Sequence, residues 1–174
     1  MFNNGASWGR KALRSSSVNK MPHNRIIELI YYNSLYRHGV DAKRRVQIPA
    51  KWRPTEPGTE LTLIVWPKYE VGPCLRVLPP REMAELMQAL DAMPNDDKNK
   101  TILKRIIGSE SVQVTLDKAG RICLPEEAAE AAGIKNEAVL VGLLDRFEIW
   151  NPARYEKIKA TDAVIAHEAF KLME

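Results

Sequence analysis

VDAKRRVQIP, residues 40–49, sets a polar turn directly against the start of a strand. Val46, Gln47 and Ile48 alternate apolar and polar with β-branched residues, a strand signal that Pro49 closes. Three adjacent cations, Lys43, Arg44 and Arg45, fill the turn. Tight turns between strands carry Gly or Asn because one position needs a positive φ, and Arg44 stands where glycine would be comfortable. The element recurs as LDKAGRICLP, from Leu116. Asp117, Arg121, Ile122, Leu124 and Pro125 repeat Asp41, Arg45, Val46, Ile48 and Pro49 at a constant offset of 76 residues, and Gly120 falls opposite Arg44.

A second match follows in the same order. LRVLPPREM, from Leu75, aligns with FEIWNPARY, from Phe147, at an offset of 72. Two ordered matches with a small change in loop length indicate duplication. Two copies do not make a solenoid, so a pseudo-twofold α+β domain of two β-rich halves is expected. Each half reads alike: a strand (35–40; 111–116), the polar turn, a second strand, and a Pro-started helical turn (PAKW; PEEAAEAAG). In the latter, Pro125 suits the first helical position and Gly133 the C-terminal cap. Two further strands follow, LTLIVW with CLRVL and AVLVGL with FEIW, and each half ends in a helix. One helix carries Met83, Leu86, Met87 and Leu90 on a stripe that reads as core or subunit contact; the other starts with Asn151 as N-cap and Pro152 behind it. TILKRII, 101–107, adds a helix between the halves, and IIELIYY, 26–32, reads as a short helix or an added strand.

Composition narrows the function. The chain has 174 residues, 45% of them hydrophobic, as expected for one folded domain. Its longest apolar run, LTLIVW, is far below the ~20 residues that span a bilayer, and no signal-peptide pattern opens it. Cys74 and Cys123 both lie in apolar runs and read as reduced core thiols. Residues 1–55 hold 11 Lys and Arg against two acids, whereas the remainder holds 15 against 20. That asymmetry points to a basic surface aimed at an anion, nucleic acid first. His23, His38 and His167 lack ligand spacing with one another or with the cysteines. No phosphate loop, dinucleotide fingerprint or nucleophile elbow is present, so neither a metal, a cofactor, a small-molecule substrate nor an enzymatic activity is expected.

The repeated D-x-x-x-R has a physical logic. An Asp opening a turn accepts hydrogen bonds from backbone N–H groups two or more residues on, or a salt bridge from the Arg. An Arg held that way presents a planar fork suited to phosphate or to the O6/N7 edge of guanine. The plainer reading, an Asp–Arg pair that only ties two strands, stands beside it. The candidate DNA-binding residues are Asp41, Lys43, Arg44 and Arg45 at the first tip, and Asp117, Lys118 and Arg121 at the second. With three clustered cations, the first is expected to be the main DNA-facing tip, local strain at Arg44 being traded for a phosphate contact.

Together NSLYRHGVDAKRRVQIPAKWR, LDKAGRICLP and AVLVGLLDRFEIWNPARYE resemble the MraZ family of bacterial transcriptional regulators, within the SpoVT/AbrB-like swapped-hairpin superfamily. The resemblance covers residues 32–160. It implies a double swapped-hairpin barrel with flanking helices, divided as 32–94, a connecting helix 95–110, and 111–174. It also implies a closed homo-oligomeric ring, a cytoplasmic, nucleoid-associated location, and repression through G-rich direct repeats of double-stranded DNA upstream of the division and cell-wall cluster. An oligomeric scaffold without DNA binding is the rival. Two departures stand out. The first motif in the family is usually D-x-K-G-R, and residues 1–30 precede the usual start. These basic residues, with 31 a mobile extension, read either as a DNA-contacting arm or as an upstream addition, with Met21 or another upstream start the true one.

Overall fold

The computed structural model describes residues 29–68 and 70–174. The predicted N-terminal arm lies outside them up to residue 28. The element order repeats. The first set is β1 (Leu35–Gly39), β2 (Arg45–Gln47), a 3-10 turn (Ala50–Trp52), β3 (Leu61–Trp66), β4 (Cys74–Leu78) and α1 (Pro80–Ala92). After α2 (Lys98–Ser109) come β5 (Ser111–Val114), β6 (Arg121–Cys123), α3 (Glu126–Ala131), β7 (Glu137–Gly142), β8 (Phe147–Trp150) and α4 (Pro152–Lys171). The architecture is α+β with antiparallel pairing throughout. Of the cluster at 26–32, the described Tyr32 bridges Leu144 as an added strand would. Asn151 caps α4 as its sequence implies, its side chain accepting from Arg154 N. Pro125 instead occupies the N-cap of α3, one residue before the expected place, because its ψ of 143° is extended.

Strands of the two copies interleave. The six-stranded sheet runs β1-β7-β8-β4-β3-β5, and β2 pairs only with β6. Each strand that enters a tip therefore joins the other copy's sheet edge: β1 lies on β7, and β5 on β3. The order reads the same from both ends once copies are exchanged, which is the pseudo-twofold expected from the duplication. Its axis passes between equivalent residues, Arg76 against Glu148 in β4–β8 and Val46 against Ile122 in β2–β6. The ladders leave the large sheet open, and no closed barrel forms among the described strands.

Alternation along the strands explains the two layers. Leu61, Leu63, Leu75, Val77, Leu140, Phe147 and Ile149 point to one face, where Val46, Ile48, Trp52, Ile122 and Leu124 cover them. Trp52 centres this core, edge-on to Tyr32 and Tyr36 and tilted against Phe147, with its Nε1 donating to Asn33 O at 3.1 Å. Ile64 and Leu78 point to the opposite face, under Leu90 of α1 and Ile107 of α2. Cys74, Val139 and Trp150 lie there too, packed by Tyr155 and Ile158 of α4. Met83 and Leu86 pack with Ile64, Leu78, Leu90 and Ile107, and Met87 is 54% exposed. Cys74 is buried as expected, whereas Cys123 is exposed. Ile122 on β6 and Leu124 just after it take the inward positions, so period two turns the thiol outward.

Candidate nucleic-acid interface

Both tips are built by the same hydrogen bonds. Arg44 N donates to Asp41 O at 2.8 Å and Asp41 N to Arg45 O at 3.1 Å. At the second tip the equivalents are Gly120 N to Asp117 O at 2.9 Å and Asp117 N to Arg121 O at 2.8 Å. Each is a three-residue loop ended by a left-handed residue, a common hairpin connection. That residue is Gly120, with φ 75°, in one copy and Arg44, with φ 58°, in the other. The expectation that Arg44 holds a glycine position is met.

The aspartates use both carboxylate oxygens. Asp41 Oδ1 accepts Lys43 N at 2.9 Å and Arg45 N at 3.0 Å, and Oδ2 accepts Arg45 Nε at 2.7 Å. Asp117 Oδ1 accepts Ala119 N at 2.9 Å and Arg121 N at 3.0 Å, and Oδ2 accepts Arg121 Nε at 2.9 Å. Backbone donation from Arg45, foremost, holds the Asp41 carboxyl below its usual range, helped by the Arg45 side chain and Lys43 N. The Arg121 backbone does the same for Asp117. Both carboxylates thus stay ionised at neutral pH and lock their arginines as oriented forks.

The β2–β6 ribbon is only three residues long and sets one tip at each of its ends, close to the other. Arg121 Nη1 reaches to 3.9 Å from Asp41 Oδ2 across the gap. The ribbon also cross-ties them: Gln47 Nε2 donates to Ala119 O at 2.9 Å, and Cys123 Sγ donates to Lys43 O at 3.3 Å. Gln47 and Cys123 are equivalent residues, so each tip is held by the other copy's strand. Lys43 and Lys118 are exposed, and Arg45 and Arg121 half-buried. The structure therefore brings all seven predicted residues to the β2–β6 ribbon, one tip at each of its ends. Arg44 faces differently from its neighbours. Its Nε donates to Leu124 O at 3.2 Å, and its Nη2 lies 3.9 Å from Glu126 Oε2.

Sequence reasoning did not single out Gln47, Cys123 or Arg53 for this region. Arg53 belongs to the segment after the 3-10 turn, yet its guanidinium lies over Gly120. It shares a cleft of about 310 Å³ with Glu56, Asp117 and Lys118. A larger cleft of about 700 Å³, walled by Tyr31, Leu61, Pro80 and Leu144 among others, holds none of the predicted residues. Among the described residues no group of His, Cys, Asp and Glu is placed to hold a metal ion. None of their helices is long and apolar enough to cross a membrane.

Fold and site define a duplicated α+β protein whose two arginine-bearing turns share one ribbon. Residues 107–171 match the family model of MraZ proteins, described as antitoxin-like. The chain is 34% identical to a transcriptional regulator MraZ of Rickettsia felis over 137 residues, 78% of this chain and 91% of that protein. It is 33% identical to the transcriptional regulator MraZ of Halothermothrix orenii over 120 residues, 69% of this chain and 80% of that one. For the protein of the same name from Pediococcus pentosaceus the figures are 34% over 122 residues, 70% and 82%. The chain belongs to the MraZ family, a family of transcriptional regulators and not of enzymes.

Proposed function

We propose that this chain regulates transcription by binding double-stranded DNA through its two D-x-x-x-R tips. The observation that carries the reading is the adjacency of two matched forks. Arg45 and Arg121 are each locked by their own aspartate at the two ends of a single three-residue ribbon, near enough that Arg121 Nη1 lies 3.9 Å from Asp41 Oδ2. A guanidinium fork matches the O6/N7 edge of guanine, and B-DNA's major groove, about 12 Å wide, admits a two-stranded ribbon. Lys43 and Lys118 beside the forks supply phosphate contacts, which lend affinity without reading sequence. The finer parts follow from the family resemblance: G-rich direct repeats upstream of the division and cell-wall cluster, repression, a double swapped-hairpin core, and a closed ring of copies in the nucleoid. A ring of tips meeting direct repeats gains affinity by multivalency when the spacings agree.

Gel retardation of a duplex carrying that upstream region tests the reading. Arg45→Ala is expected to cost about 1–3 kcal/mol and to relax the preference for guanine. The double change Arg45→Ala, Arg121→Ala is expected to abolish specific retardation. Retardation that survives the double change at wild-type affinity would overturn the proposal.

A further inference from the structure

The two left-handed turn positions are occupied by unlike residues, Arg44 and Gly120, yet the space around each holds one guanidinium. Over Gly120 it comes from Arg53: a Cβ at Gly120 would lie 2.4 Å from Arg53 Cζ and 2.5 Å from its Nε. Arg53 Nε donates to Ile48 O at 2.9 Å. In the other copy the guanidinium is that of Arg44, whose Nε donates to Leu124 O at 3.2 Å. Ile48 and Leu124 are equivalent under the offset of 76, as are Arg44 and Gly120, and Arg53 and Ala129. Two equivalent carbonyls are therefore each capped by an arginine Nε, and the arginine comes from opposite partners of the same contact. Where position 53 carries Arg, its guanidinium occupies the place that a Cβ on the facing turn residue would take. Where the equivalent position is the buried Ala129, the turn residue itself reaches in.

We infer that Arg53 is a DNA-contacting residue of the second tip, the counterpart there of Arg44, and that the Arg44–Ala129 and Gly120–Arg53 pairs are a compensating exchange. This rests on the DNA-binding reading above. Each tip then carries three cations: Lys43, Arg44 and Arg45 at the first, and Lys118, Arg121 and Arg53 at the second. The tips are equal in basic groups, contrary to the expectation that the first dominates. Arg53 is also placed differently in charge. Arg44 has Glu126 near its Nη2, whereas the residue equivalent to Glu126 is Ala50. Glu56 is the acid that shares the Arg53 cleft, with Asp117 committed to Arg121.

Two measurements on the full chain test this. In salt titrations with the upstream duplex, Arg53→Ala should weaken binding roughly fivefold or more and flatten the salt slope by about one, alike on specific and unrelated sequence. Arg53→Lys should keep most of both. Wild-type affinity and slope in Arg53→Ala, while Arg45→Ala with Arg121→Ala loses binding, would overturn the inference and leave the DNA reading standing. Full binding in that double variant too would overturn both. The exchange itself needs no DNA. Ala129→Arg alone should lower the melting temperature, because two guanidinium groups compete for one place. Joined to Arg44→Gly it should restore melting to near wild type, a coupling that a double-mutant cycle reads directly. Simple additivity of the two changes would overturn the exchange.

Discussion

Arg44 shows how a residue that breaks a local rule is accommodated. An L-residue held at positive φ costs on the order of 1 kcal/mol, and the hydrogen bond to Leu124 O offsets a comparable amount. The turn aspartates make a sharper prediction. Their folded carboxyls lie below the ordinary value of 3.8 because backbone N–H groups of Arg45 and Arg121 favour the charged form. A depressed folded pKa adds stability that is fully present above the unfolded value and is lost as pH falls through the folded one. Wild type should therefore lose stability below about pH 4, over a range in which Asp41→Asn, Asp117→Asn loses less. Thermal melts of both proteins from pH 6 to pH 2 check it, and parallel curves would refute it. The Asp–Arg geometry was legible because all its parts lie within five residues. Arg53 was not, because nothing local says which glycine, 67 residues away, it will cover. Cys123 was misread because an apolar run was weighed as a whole, although alternation between Ile122 and Leu124 already turns it outward.

Strand alternation and the order of elements were readable at the next scale, but the partners of the strands were not. The polar tip suggests that the strands entering and leaving it stay paired. They touch only at the Val40–Val46 bridge and then part, β1 to β7 and β2 to β6. Pairing is chosen by which edges the other copy leaves open, information that no window of sequence holds. The central β4–β8 pair carries the consequence of duplication within one chain. Equivalent positions meet on the axis, where two identical copies would set like residues opposite each other; here Arg76 meets Glu148 at 2.8 Å, with little exposure on either side. Glu148 Oε2 also accepts Trp150 Nε1 at 2.9 Å, and Arg76 Cζ stacks 3.8 Å from the centroid of the Trp66 ring. Breaking a buried pair from one side strands a charge and costs about 3–5 kcal/mol, whereas neutralising both is far milder. Arg76→Leu should accordingly destabilise by that amount in urea denaturation. Arg76→Leu with Glu148→Gln, which keeps an acceptor for Trp150, should recover most of it. Equal losses in the single and double variants would show that Arg76 acts through packing alone.

For the whole molecule, exchange of β1 and β5 between the copies makes a single cooperative unit the natural outcome. Ile48 and Trp52 of the first copy share one core with Ile122, Leu124 and Phe147 of the second, and neither set is covered without the other. The same interleaving holds the tips in register, since Gln47 and Cys123 each tie the opposite turn. Stability and presentation of the arginine forks are thereby coupled through the ribbon. Ile122 is fully buried on the axis opposite Val46, so Ile122→Ala should cost about 2–5 kcal/mol. Because both copies depend on that contact, the loss should appear in both at once. Amide exchange in native buffer is the discriminating measurement. Protection of β3 and β7 amides should fall by the same factor in Ile122→Ala, as one opening event would require. A fall confined to β7, with β3 still at wild-type protection, would mean that the copies open separately and that the exchanged strands do not bind them into one unit.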